Sequence, residues 1–288
     1  MTGSDDRQPP AASSQVVHSR AVTLALLAIP VAMIAAGLAL LVPSLVRGLA
    51  ISNPIAAPGA ARNAAGGLSL ADAVRMATPA TPWRNLARDS VLTRIGFGSC
   101  LHQSYPQPIW TAVAVSKPQL FLMMGDNVYG DIRSGDGREL AEAYRRQLAN
   151  PEFSAVRAAL PMLGTWDDHD YGLNDAAAGF PHRATAAALF RAYWQRPAPT
   201  APPDGIYSAH MFGPAGRRVQ IIMLDTRSFR SAFAPKPDGL ELFGKFGPDR
   251  DPSKTMLGAA QWAWLEAELR KPAEVRLLVS SIQVLSDG

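Results

Sequence analysis

From residue 93 onward, short apolar runs alternate with amphipathic stretches. Runs of four to seven apolar residues between turn formers predict strands at 93–98, 119–124, 161–165, 218–224 and 275–280. Positions repeating at helical spacing predict helices at 108–115, 138–148, 184–195 and 258–269. In the last of these, Gln261, Leu265 and Leu269 fall on one face with Trp262, and that face is expected to be core. Trp166 and Trp264 are expected in the core as well. Strand and helix in alternation predict an α/β domain with one main core, spanning 93–288.

The N-terminal part is different in kind. Residues 1–20 are polar and expected to be disordered; residues 21–46 carry no charge. As a helix that uncharged run would be roughly 39 Å long, enough to cross a bilayer with tilt. Its Pro30, Gly37 and Pro43 suit a membrane helix better than a soluble one. The expectation is a single-pass anchor with the folded domain outside the cytoplasm. A signal peptide cleaved near Ala56–Ala60 would instead give a secreted domain. Arg7 and Arg20 precede the run, Arg47 and Arg62 follow it, and orientation stays open. Residues 47–92 are rich in Ala, Pro and Gly and read as a linker, with one short helix near 68–76.

Composition narrows the function classes. A net charge of +4, with basic residues scattered, gives no patch that would track a phosphate backbone, so nucleic acid is not an expected partner. Cys100 is the single cysteine, so no intrachain disulfide can form. No Gly-rich phosphate loop, nucleophile elbow or EF-hand calcium loop is present. Oligomeric state is not legible.

The candidate chemistry sits where strands end. Ser99-Cys100 follows the first strand, Asp126 to Asp131 the second, and Asp167 to Asp170 the third. Asp225-Thr226-Arg227 and Ser281-Ile282-Gln283 follow the later ones. In open α/β sheets ligands bind at this carboxyl edge. Carboxylates, imidazole and carbonyl oxygen suit hard and borderline metal ions. Asp126 is the natural bridge of a two-metal site, because it opens the turn directly after a buried strand. Tyr129, three residues on, can return its phenol to the same point; Asp168 and His169 add a carboxylate and a charged donor. Cys100 would be a soft ligand. The plainer alternatives are turn-forming aspartates, a core tyrosine, a structural histidine and a buried thiol. Asp225 and Arg227 are read as an ion pair bracing the sheet edge, and His102 stays undecided.

Phe97-Gly98-Ser99-Cys100, Gly125-Asp126-Asn127-Val128-Tyr129-Gly130-Asp131 and Trp166-Asp167-Asp168-His169-Asp170-Tyr171-Gly172-Leu173-Asn174-Asp175 resemble the signature of PhoD-like metallophosphatases, the alkaline phosphatase D family. Later blocks at 224–227, 257–262 and 279–283 resemble it too. The resemblance implies a calcineurin-like fold of two packed mixed β-sheets flanked by helices. It implies hydrolysis of small phosphate mono- or diesters by a metal-bound hydroxide, with ferric iron and calcium or other divalent metals. It makes Cys100, Asp126 and Tyr129 iron ligands, with Asp126 bridging and Asp168 on the second metal. His169 would sit beside the leaving group or the phosphoryl oxygens, with Asn127 and Asn174 as further substrate or metal contacts. It also implies a later strand with a Gly-Asp-x-His block. The sequence, with His18, His102, His169, His182 and His210, contains none. A fragment or inactive copy with an incomplete site is therefore one expectation; a tethered calcium-binding protein is the rival of another class.

Overall fold

The computed structural model describes residues 67–195, 205–236, 246–247 and 249–284. The expected tail at 1–20, the span at 21–46 and the linker up to 66 lie outside them. Among the described residues no helix is long and apolar enough to cross a membrane.

Strands β1 (Ile95–Gly98), β2 (Leu120–Met124) and β3 (Met162–Thr165) pair in parallel, in the order β1-β2-β3. A second sheet runs β4 (Ser208–Phe212), β5 (Val219–Met223), β6 (Val275–Val279), with β4 antiparallel and β6 parallel to β5. The expectation of two mixed sheets holds only for the second. Helical crossovers return the chain between β1, β2 and β3, which forces those three strands to run the same way.

The layers follow from the two-residue period of the strands. On β2, Phe121 and Met123 join the core beneath the helices, whereas Leu120 and Leu122 join a cluster with Phe212, Val219, Ile221, Met223 and Val279. That second cluster is the interior between the sheets. On β5, Ile222 points the other way, toward Leu265 of helix α7 (Gly258–Leu269). The order is thus helices, first sheet, second sheet, helix.

The stretch assigned to a linker belongs in part to the folded body. Helix α1 (Leu70–Ala77) begins at Ser69, whose hydroxyl caps the Asp72 amide. It buries Ala73 and Ala77. Trp83 is buried against Trp194, their rings stacked 4.4 Å apart. Small residues there read as flexible by composition, but they are small because helices α3 (Arg138–Ala149) and α6 (Arg183–Tyr193) pack close by.

Helix α2 (Ile109–Ser116), α3, α6 and α7 lie where the periodicity puts them. Two helices are additional. Asn150 caps the Phe153 amide and Pro151 opens helix α4 (Pro151–Ala159). Helix α5 (Asp168–Tyr171) is a single turn inside the acidic run. On α7, Gln261 and Leu265 are buried as expected, but Leu269 is 43% and Trp262 53% exposed. Trp166 is buried and Trp264 packs at the edge of the third cluster.

Candidate metal centre

β2 leaves the sheet through two residues with positive φ, Gly125 at 112° and Asp126 at 47°. A Cβ on Gly125 would lie 2.7 Å from Asp167 Cβ and 2.8 Å from Ser281 Cβ. Gly125 is the point where the exits of β2, β3 and β6 meet, and a side chain there would push them apart. Gly125→Ala is expected to destabilise the fold by at least about 1–3 kcal/mol and to lower metal affinity. Urea denaturation and metal titration of the variant check this.

Cys100, at the exit of β1, also has a left-handed backbone, φ 60°. Its N–H donates to Gly125 O at 3.3 Å, and the Leu101 N–H to Asp126 O at 2.8 Å. These bonds hold two strained residues side by side. Strain of this kind persists where the surroundings fix it, commonly at functional sites.

Asp126, Asp168 and His169 bring ligand atoms within 4.8 Å of one another. Cys100 Sγ lies 3.7 Å from Asp126 Oδ2. The Tyr129 phenol lies beside the side chains of Cys100 and Asp126, close enough for both to act on its ionisation. Five of the expected site residues are therefore gathered at the carboxyl ends of β1, β2 and β3. Asn127 is close by and buried, and its amide nitrogen donates to Thr165 O at 2.8 Å and to Asp170. Its Oδ1 is buried without a partner among the described residues. Asn174 is different: it is exposed and its amide donates to Asp175 at 2.7 Å. Gly172, φ 112°, ends α5, and the Asp175 N–H returns to Asp168 Oδ2 at 2.7 Å, while the Asn174 side chain bonds only to Asp175 among the described residues.

Supporting groups set the geometry. Asp170 accepts from the Asp167 N–H at 2.6 Å and the Asn127 N–H at 2.9 Å, closing a capping box on α5. This one-turn helix presents Asp168 and His169 in its first turn. His169 Nδ1 meets Asp131 Oδ1 at 2.8 Å. Gln103 pairs with the Tyr129 backbone in both directions, at 2.8 and 2.9 Å. Arg227 does not pair with the Asp225 side chain. Asp225 is satisfied by Trp166 Nε1 and by the N–H groups of Ile206, Arg227 and Ser228. The guanidinium reaches instead to Asp167 at 2.5 Å and lies 3.8 Å from Asp168. Ser281 donates to the same Asp167 oxygen at 2.8 Å. Asp131 carried a sequence signal, its place in the second polar run; Gln103 carried none.

The cluster has too much negative charge for its burial. Burial first, then repulsion from Asp167 and Asp168, pushes the Asp126 carboxyl up to about 6 from 3.8, with His169 opposing. Burial, with Asp126 and Cys100 nearby, raises the Tyr129 phenol far above its ordinary value. Burial also raises Asp167, against the pull of Arg227. A nearby cation would favour the ionised Asp126 carboxylate, and Asn127 Oδ1 is a buried acceptor without a partner among the described residues. The donor set, two carboxylates, an imidazole, a phenol and a thiol, fits a metal ion.

The sign of the pH effect follows. The folded chain keeps a proton on Asp126 up to about pH 6, whereas a free carboxyl gives it up near 3.8, so rising pH through that window favours unfolding of the metal-free protein. A bound cation reverses this. Metal loading near pH 6 is expected to release protons and to raise Tm; calorimetry in buffers of different ionisation enthalpy measures the proton count.

Two cavities, of about 600 and 560 Å³, lie away from this cluster. The first opens between β3 and β4, the second between β1 and β6, and neither is lined by the five gathered residues.

A family model described as PhoD-like phosphatase matches residues 95–285. The chain belongs to the PhoD-like phosphatase family. A curated relative, alkaline phosphatase D of Bacillus subtilis (strain 168), is 27% identical over 207 residues, covering 59% of this chain and 33% of the relative. A solved structure titled "Structure of PhoD" matches with a TM-score of 0.52 at 20% identity, over 69% of this chain and 42% of that one. The PhoD-like chain thus spans about a third of the curated relative's length, 33%. The structural match concerns the layered fold alone. The PhoD-like region begins at β1, so α1 and Trp83 pack onto it from outside the matched stretch.

Proposed function

We propose that this chain hydrolyses small phosphate mono- or diesters at a centre of two metal ions. The observation that carries the reading is the gathering of Cys100, Asp126, Tyr129, Asp168 and His169 at one sheet edge. Cys100, Asp126 and Tyr129 would hold ferric iron, for which thiolate, carboxylate and phenolate are suitable donors. Asp126 would bridge to calcium, held also by Asp168. When bound, such metals neutralise phosphoryl oxygens and make water a nucleophile near neutral pH.

The chain's own groups do the rest. Asp131 fixes the His169 ring through Nδ1, which leaves Nε2 to donate to the departing alcohol oxygen. Asp170 and Thr165 fix the Asn127 amide nitrogen and leave its Oδ1 available. Arg227 holds Asp167 and offsets the charge beside Asp168.

The test is turnover of nitrophenyl phosphate and bis(nitrophenyl) phosphate by the metal-loaded full chain. Activity that disappears with a chelator and returns with metal supports the reading. Calcium binding with neither iron nor turnover would replace it with a calcium-binding structural role. The uncharged run at 21–46 supports, as part of the same proposal, a membrane anchor with the domain outside the cytoplasm. Release of the protein from membranes by alkaline carbonate would sink that anchor.

A further inference from the structure

We infer that His102 and Tyr105 form a stacking shelf beside the metal centre, which selects esters whose aromatic ring is carried on a sugar, that is, nucleotides. The inference rests on the phosphoesterase reading and names its substrate class.

Four rings run outward from the cluster. His169 and Tyr129 lie 4.3 Å apart, Tyr129 and His102 4.9 Å, and His102 and Tyr105 4.6 Å. The row starts at a group proposed to touch the reacting ester and ends at Tyr105, which is 66% exposed. A large exposed aromatic ring is common on a surface. One that continues a row of touching rings, stacked at Tyr129–His102 and tilted at its two ends, out of a candidate active site is not.

The loop that carries the shelf is fixed. Gln103 clips it to the Tyr129 backbone by two amide bonds of 2.8 and 2.9 Å. His102 Nδ1 accepts from the Ser104 N–H at 3.2 Å, and the Tyr105 N–H donates to His102 O at 3.2 Å. A preorganised aromatic surface costs little entropy to use. Stacking of a base on an aromatic side chain is strong and tolerant of base identity.

The spacing selects the class. Tyr105 is two ring steps, 4.9 and 4.6 Å, beyond Tyr129. A ring bonded directly to a phosphoryl oxygen would stay near Tyr129. A base held off the phosphate by a ribose reaches the shelf.

The test is calorimetric binding of three phosphates to the metal-loaded full chain: adenosine 5′-monophosphate, ribose 5-phosphate and phenyl phosphate. The nucleotide is expected to bind about tenfold more tightly than ribose 5-phosphate. That advantage should disappear in Tyr105→Ala and survive in Tyr105→Phe, with phenyl phosphate gaining none. Tyr105 is exposed, so its replacement leaves the fold intact. Equal binding of nucleotide and sugar phosphate overturns the shelf, as does an advantage that persists in Tyr105→Ala. A phenyl phosphate advantage lost in Tyr105→Ala overturns the sugar-spaced class. Failure to bind any of the three overturns the phosphoesterase reading together with the shelf.

Discussion

Asp126→Asn is expected to lower metal affinity more than about 100-fold, beyond what loss of a supporting group costs, while keeping the fold. Asp126 is the meeting point of the cluster: Cys100, Tyr129 and His169 all contact its carboxyl. The same burial and repulsion that push this carboxyl up make it a burden on the metal-free fold. Asparagine removes the charge and keeps the size and one acceptor oxygen. Metal-free Asp126→Asn should therefore be at least as stable as wild type above pH 6, and its metal-induced rise in Tm should vanish. Asparagine suits the same left-handed backbone and turn as aspartate, so loss of binding is the outcome that marks a ligand, and a turn-forming aspartate would bind metal as before.

Arg227→Ala should be the most destabilising of the substitutions considered, costing about 3–5 kcal/mol. The side chain is 5% exposed and pairs with Asp167 through Nε at 2.7 Å and Nη2 at 2.5 Å. Its removal leaves the half-buried Asp167 carboxylate with the Ser281 hydroxyl but no ionic partner, beside Asp126 and Asp168. Arg227→Lys should rescue little, because an ammonium cannot reproduce the planar pair of N–H groups that converge on Asp167 Oδ1. Urea denaturation of the metal-free proteins measures both variants. A loss below about 1 kcal/mol, the range of an exposed pair, would mean that the guanidinium does not hold Asp167.

Much of this architecture is visible in the residue pattern. The five strands read from apolar runs exist with edges shifted by one or two residues, because those runs are short and bounded by turn formers. β4 is not visible. Ser208-Ala209-His210-Met211-Phe212 has no clean alternation, and its pairing with β5 supplies the order that its own sequence lacks. α4 is hidden behind Asn150-Pro151, where one dipeptide serves equally as a turn and as a helix start. The short helix expected near 68–76 is α1, but its packing into the body is not legible, because small residues mark both linkers and tight helix packing. Trp262 misleads in the opposite sense, since a bulky apolar side chain at helical spacing does not say which neighbour covers it.

At the site, Cys100, Asp126, Tyr129, Asp168 and His169 are legible because each stands within a few residues of the end of a parallel strand. Sequence distance then hardly matters, since parallel strands deliver their ends to one edge. The partners that hold them are less legible. Asp225 and Arg227 look like a pair two residues apart, yet local N–H groups satisfy Asp225 and free the guanidinium for Asp167, 60 positions away. Asn174 sits in the same polar run, but there the neighbouring Asp175 N–H, not the Asn174 side chain, reaches Asp168, at 2.7 Å.

The most direct measurement is diffraction from crystals of the full chain soaked with iron and calcium, recorded at the iron edge. An anomalous peak about 2.0–2.6 Å from Asp126, and within the same reach of Cys100 and Tyr129, is the predicted result. Crystals in which those side chains are ordered and no metal lies among them would contradict it.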